Sequence, residues 1–228
     1  MVAEASSVVW RYLWGVPSAD PVILHRTEQW LVIDKPSGWH TVAGRGDELD
    51  VESWLRGKVP ACSELEEAGL VHRLDLPTSG CLLAATDEAI RVALREAMSG
   101  RGSVDIRKHY LARCGVGLPD QGAFELYFTK RHRGSRKMTV SQRGDARSAG
   151  RCCWRVCERA GGGDLIEVEL LGPGRRHMIR AGMASLGHPL VGDALYGGDA
   201  SAEGPRLHAC RLSINGLVVE SPRPDWAT

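Results

Sequence analysis

Between positions 165 and 170 the chain reads Leu-Ile-Glu-Val-Glu-Leu, and this alternation limits the possible folds more than any other feature. Side chains two apart share a face on an extended backbone, so Ile166, Val168 and Leu170 point one way and Glu167 and Glu169 the other. Such a strand is half-buried, with one face on a core and one toward water, as in antiparallel sheets. Other strand-length runs accompany it: 30–34, stopped by the turn Lys35-Pro36-Ser37-Gly38, then 81–86, 108–114 and 123–128. Near the end, 206–214 and 217–220 flank Asn215-Gly216, the strongest short-range hairpin signal in the chain.

Helices punctuate these strands. A short one is expected over 49–58. Another follows the run at 81–86, with Thr86 or Asp87 as N-cap, Ile90, Leu94 and Met98 recurring every four residues, and Gly100 as the stop. A third is expected over 175–186, introduced by Gly172-Pro173-Gly174, with Ile179, Met183 and Leu186 as its buried stripe and Arg176 and Arg180 on a neighbouring face. At 228 residues and 43% hydrophobic content the chain can bury one sizeable core. The expectation is therefore a single domain over 1–228 of mixed α/β (α+β) class, a largely antiparallel central sheet with flanking helices. Residues 1–29 form its lead-in, with Trp10, Tyr12 and Trp14 packed onto the body.

Charge is balanced in sum, 29 Lys and Arg against 28 Asp and Glu, but not in distribution. From 130 to 155 the cations Lys130, Arg131, Arg133, Arg136, Lys137, Arg143, Arg147, Arg151 and Arg155 are accompanied by one carboxylate, Asp145. This stretch, with its interspersed Gly and Ser, reads as a long hairpin or loop. It is either a solvated face or a surface that neutralises phosphates. The opening Met-Val-Ala-Glu-Ala resembles no secretory or mitochondrial leader, and no apolar run approaches the roughly 20 residues of a membrane span. A cytoplasmic monomer without a membrane partner is expected. The seven cysteines are then reduced thiols. Cys152, Cys153 and Cys157 lack a second Cys or His pair at zinc spacing, so they read as core thiols, and neither metal nor cofactor is expected.

The segment with the most chemistry is Val71-His72-Arg73-Leu74-Asp75-Leu76-Pro77-Thr78-Ser79-Gly80. It sets Asp75 in a loop that enters a buried strand, where reactive groups are often held. Taken alone, an Arg-x-Asp of this kind more often caps the turn, with Asp75 paired to Arg73.

Four segments, in order, resemble the RluA-type pseudouridine synthases, which isomerise uridine in structured RNA. Val32-Ile33-Asp34-Lys35-Pro36-Ser37-Gly38 is similar to their first motif, and His72-Arg73-Leu74-Asp75 with Thr78-Ser79-Gly80 to their catalytic loop. Lys108-His109-Tyr110-Leu111-Ala112 resembles their tyrosine-bearing strand. Arg175-Arg176-His177-Met178-Ile179-Arg180, with Gly187-His188-Pro189-Leu190-Val191-Gly192-Asp193, resembles their arginine helix and closing loop. The resemblance implies a pseudouridine synthase-like catalytic domain in which Asp75 either attacks C1′ or removes a C2′ proton. It implies that Tyr110 stacks on the uracil and that Arg180 pairs with Asp75. RNA contacts are expected from His72, Arg73, Lys130, Arg131, Arg133, Arg136, Lys137 and Arg176.

The chemistry is consistent with those assignments. Moving the glycosidic bond from N1 to C5 needs no redox change, phosphate donor or metal, but it needs a carboxylate kept ionised away from water. Arginine suits as its partner because it keeps its charge. Tyr110 read without the resemblance is an ordinary strand aromatic, and Arg180 a snorkelling side chain. Met178 stands where the family usually has glutamine, and Ala181-Gly182 where it has Val-His. Only about 30 residues precede the first motif, so no separate N-terminal RNA-binding domain is expected and the catalytic domain itself must recognise tRNA or rRNA. The rival reading is an RNA-binding or RNA-chaperone protein with weakened catalysis. A glycoside hydrolase is disfavoured because no second carboxylate accompanies Asp75 in these motifs.

Overall fold

The computed structural model describes residues 19–44, 46, 48–132, 134–199 and 204–228. Trp10, Tyr12 and Trp14 of the expected lead-in lie outside them. The strands are β1 (Val22–Arg26), β2 (Trp30–Lys35), β3 (Ser79–Ala85), β4 (Ile106–Cys114), β5 (Gln121–Lys130), β6 (Met138–Ser141), β7 (Ala149–Ala160), β8 (Gly163–Leu170), β9 (Leu207–Ile214) and β10 (Leu217–Glu220). The α-helices are α1 (Val51–Lys58), α2 (Glu88–Met98) and α3 (Met178–Ser185). They fall into two compact units.

The first unit holds the described part of Met1–Ile106 together with Ala209–Pro222. Its strands run in the order β1-β2-β3-β9, with β10 on β9. β2 pairs antiparallel with β3 from Trp30 opposite Ala85 to Lys35 opposite Gly80. The hairpin β9–β10 turns as expected at Asn215 and Gly216, with φ of 49° and 83°, the paired positive angles of a type I′ turn. Asp87 caps α2 by accepting from Ile90 N at 2.9 Å. Leu94, with Ile90 and Met98 beside it, packs onto a core of Val32, Val71, Cys81, Leu83, Leu212 and Ile214. Asp50 caps α1 in the same way, through Ser53 N at 2.7 Å.

The second unit holds Arg107–His208 and Arg223–Thr228. Its sheet runs β4-β8-β7-β5-β6, and every neighbouring pair is antiparallel. The alternation of β8 is realised: Ile166, Val168 and Leu170 are buried while Glu167 and Glu169 are half-buried. Glu167 is not left to water, because Arg155 opposite it on β7 donates to its carboxylate at 2.8 and 2.6 Å.

Several expectations need correction. The basic stretch does hold a hairpin, since β6 folds back on β5 from Tyr127 opposite Ser141 to Lys130 opposite Met138. The strands β1 and β7 were not expected at all. α3 begins at Met178, three residues later than its pattern suggests, because His177 adopts left-handed φ of 53° and Met178 N closes a turn on Arg175 O at 3.1 Å. Arg176 therefore does not share a helix face with Arg180. Leu186 caps the helix and is exposed, so the buried stripe ends at Met183. Of the three clustered cysteines Cys152 is buried, whereas Cys157 is exposed at a register shift between Val156 and Glu158. Among the described residues no helix is long and apolar enough to cross a membrane.

Candidate active site

Asp75 is placed by its neighbours on both sides. Val71 N donates to Leu83 O at 3.0 Å and His72 Nε2 accepts from Leu83 N at 3.2 Å, so this segment fringes β3 before the chain turns away. Thr41 then clips Leu74 twice, donating from Oγ1 to its carbonyl at 2.8 Å and accepting from its amide at 3.1 Å. Beyond Asp75, Thr78 N closes a turn on its carbonyl at 2.9 Å, while Gly38 N and Ser37 Oγ donate to Leu76 O and Pro77 O, each at 3.0 Å. Residues 35–41 thus clamp residues 74–77 through the Gly38 amide and the Ser37 and Thr41 side chains.

Lys35 lies at the centre of this clamp. It is fully buried, and its ammonium donates to Trp39 O at 2.7 Å, Pro36 O at 3.0 Å and Leu76 O at 3.2 Å. Burial pushes its pKa down to about 7, against the pull of the Asp75 and Asp34 carboxylates. Asp34 is raised by its own burial, opposed by the 2.8 Å hydrogen bond from Ser221 and by the charge of Lys35. Gly80 closes the loop with φ of 104°, and a Cβ there would stand 2.3 Å from Ala209 O, so this approach of β3 to β9 admits only glycine. Asp75 itself is half-buried. Arg73 is exposed and makes no ion pair among the described residues, so the Arg73–Asp75 pairing of the blander reading is not formed.

Tyr110 and Arg180 belong to the second unit, both buried, one on β4 and one on α3. The guanidinium of Arg180 is held by Asp193, Nε to Oδ2 at 2.7 Å and Nη2 to Oδ1 at 2.8 Å. Asp193 is fixed in turn because its carbonyl accepts from Tyr196 N and Gly198 N, each at 3.0 Å. The Tyr196 ring lies 5.4 Å from the Arg180 guanidinium carbon, and its hydroxyl accepts from Met138 N at 2.8 Å and meets His177 Nδ1 at 2.9 Å. Planar guanidinium against planar carboxylate and ring is a rigid arrangement. Asp193 and Tyr196 had no role in the sequence reading; the signal available was their place in the Gly-rich loop after α3.

The remaining RNA candidates differ in setting. Lys130, Arg131, Arg136 and Lys137 are exposed in the second unit, and Arg133 lies outside the described residues. Arg176 donates to Ser135 O and Arg136 O, each at 3.1 Å, tying the basic hairpin to the entry of α3. His72 instead commits Nε2 to the backbone of β3.

The family model for RNA pseudouridylate synthases matches residues 29–185, the span that carries the Asp75 clamp, Tyr110 and α3. The chain belongs to that family. Among its relatives in the RNA pseudouridylate synthases, ribosomal large subunit pseudouridine synthase D of Xylella fastidiosa is 36% identical over 187 residues, covering 81% of this chain and 54% of that one. The dual-specificity RNA pseudouridine synthase RluA of Escherichia coli is 31% identical over 218 residues, covering 90% and 95%. The solved structure of human RNA pseudouridylate synthase domain containing 4 matches with a TM-score of 0.70 at 21% identity, covering 96% of this chain and 93% of that one, a likeness of fold alone. The chain spans 54%, 62% and 51% of the length of three curated relatives of the D type.

The family departures in α3 have a physical account. A Cβ on Gly182 would stand 2.3 Å from the ring of Phe124, and one on Gly150 would stand 2.3 Å from Met178 Sδ. Met178 and Gly182 are thus fitted to β7 and β5, as complementary shapes in one packed layer.

Proposed function

We propose that this chain isomerises uridine to pseudouridine in structured RNA, tRNA or rRNA, with Asp75 as the essential carboxylate. The observation that carries the reading is the placement of Asp75 on a turn pinned from both sides by Thr41, Gly38 and the buried Lys35, inside the span that the family model matches. A carboxylate so fixed has paid its ordering cost at folding rather than at substrate binding. It either adds to C1′ or removes the C2′ proton, releasing N1 of the uracil. The base then turns and C5 bonds to C1′, as the aspartyl ester bond breaks on the first route or as the C2′ proton returns on the second. The C5 proton is lost and N1 gains one, so the reaction is an isomerisation that consumes no co-reactant. Tyr110 supplies the stacking face for the extruded base, whose removal from the stack costs a few kcal/mol. Arg180, oriented by Asp193, is assigned to the reaction as its fixed positive charge.

All seven cysteines are free thiols, which supports action in a reducing compartment such as the cytoplasm. We take the monomer as the working form. The RNA-chaperone alternative leaned on the altered α3; the retained Asp75, Tyr110 and Arg180 favour the enzyme.

The test is tritium release from cellular RNA labelled at uridine C5. Wild type should release tritium, and folded Asp75→Asn should lose more than the roughly 10² to 10⁴-fold that follows removal of an assisting acid or base, while RNA affinity changes far less. In the same assay folded Arg180→Met should turn over slowly. Near wild-type release by Asp75→Asn, or RNA binding by wild type without isomerisation, would end the assignment.

A further inference from the structure

The turn between β8 and α3 gathers positive charge from three places. Lys108 stands on β4 opposite Leu170, Arg151 on β7 accepts from Leu171 N through its carbonyl at 2.9 Å, and Arg175 follows Gly172-Pro173-Gly174. Lys108 Nζ lies 3.8 Å from where a Cβ on Gly174 would stand, and the Arg151 guanidinium 3.9 Å from the same point on Gly172. Lys108 is only 7% exposed, yet among the described residues its ammonium has no hydrogen-bond or ion-pair partner. Arg175 Nε is also buried without a partner, although its Nη1 reaches Gly174 O at 3.4 Å. Among the described residues no carboxylate pairs with any of the three.

The protein contains a contrasting case. Lys35 is more deeply buried still, but three carbonyls satisfy it. Lys108 has none, and its pKa is pushed down to about 8 by burial and then by the charge of Arg175. An ammonium this enclosed, with no protein acceptor, is stabilised by an anion that reaches it. The acceptor that fits two or three cations at once is an anion with several oxygens. Tyr110 stands two positions further along the same face of β4, about 6.7 Å away by strand geometry.

We propose that Lys108, Arg151 and Arg175 form a phosphodiester subsite, holding the backbone phosphate beside the nucleotide that Tyr110 stacks. The subsite rests on the reading of the chain as an RNA pseudouridine synthase. It differs from the exposed hairpin cations because its central group is buried, so it recognises a phosphate at one position rather than attracting RNA in general.

The decisive measurement compares wild type, Lys108→Met, Lys108→Arg and the exposed Arg151→Gln. On the RNA that wild type isomerises, Lys108→Met should raise KM about tenfold with kcat changed less, and flatten the salt dependence of binding by about 0.7 to 0.9, one phosphate contact. Arg151→Gln should act in the same direction, and Lys108→Arg should restore the slope. Thermal stability of Lys108→Met should hold or rise, because a desolvated charge is removed. A lowered melting temperature with an unchanged slope would make Lys108 a structural residue and overturn the subsite. Unchanged KM and slope in Arg151→Gln and Lys108→Met would do the same. If wild type neither binds nor isomerises RNA, the functional reading fails by itself, and titration of ¹³C-lysine-labelled wild type with inorganic phosphate still decides the subsite. Its Lys108 resonance should move and titrate at higher pH with phosphate; a resonance unmoved by phosphate refutes the proposal.

Discussion

Lys35 shows how a single residue joins the first motif to the catalytic loop. The sequence marks it only as part of a turn after a strand, and nothing in its type foretells burial. Its ammonium replaces the water that Pro36, Trp39 and Leu76 carbonyls would otherwise need. That burial has a measurable sign. With a pKa near 7 in the folded protein and about 10.4 unfolded, the unfolded chain holds the extra proton between those values, so this contribution to stability rises with pH across that window. The stability difference between wild type and Lys35→Met, from urea midpoints, should grow by about 2 kcal/mol from pH 7 to pH 9. The difference is needed because burial raises the pKa of Cys62, Cys81, Cys114 and Cys152, which acts in the opposite sense. A constant difference would mean that Lys35 keeps its proton. Asp75 was legible from its motif. The residues that hold it and Arg180, namely Thr41, Lys35, Asp193 and Tyr196, were not, since each acts through contacts distant in sequence.

At the scale of elements, local signals served where local chemistry sets the structure. The turn at Asn215-Gly216 formed as read, and of the two N-caps offered for α2 it is Asp87 that caps; the Asp50 cap of α1 was not anticipated. α3 departed from its pattern because His177 turns left-handed to meet Tyr196, a contact no helical period encodes. β7 was missed although Cys152, Trp154 and Val156 alternate with Arg151, Cys153 and Arg155; the run of arginines and the shift at Cys157 disguised that period. The entry of β3 gives the cleanest element-level test. Gly80→Ala must place a Cβ against Ala209 O at a backbone angle that side chains avoid, so the variant should lose at least about 2 kcal/mol in urea unfolding. An unchanged midpoint would show that β3 and β9 can separate without cost.

For the molecule as a whole, net charge is uninformative and its distribution decides. The cations of the β5–β6 hairpin stand exposed around Lys130, Arg131, Arg136 and Lys137. Replacing Arg131, Arg136 and Lys137 together by glutamine should reduce the slope of log affinity against log salt by about 2, at roughly 0.7 to 0.9 per phosphate; an intact slope would place the RNA path elsewhere. The expected mixed fold with antiparallel sheets was legible from alternation and turn signals, and its solved neighbours share it. What alternation could not reveal is the fit between layers, and that fit bears on inheritance. Phe124 fills the space that any side chain at 182 would need, so position 182 cannot grow while Phe124 stands. A lineage that regains a large residue at 182 must first pass through a smaller one at 124, and the two columns should change together wherever descendants of this chain are compared.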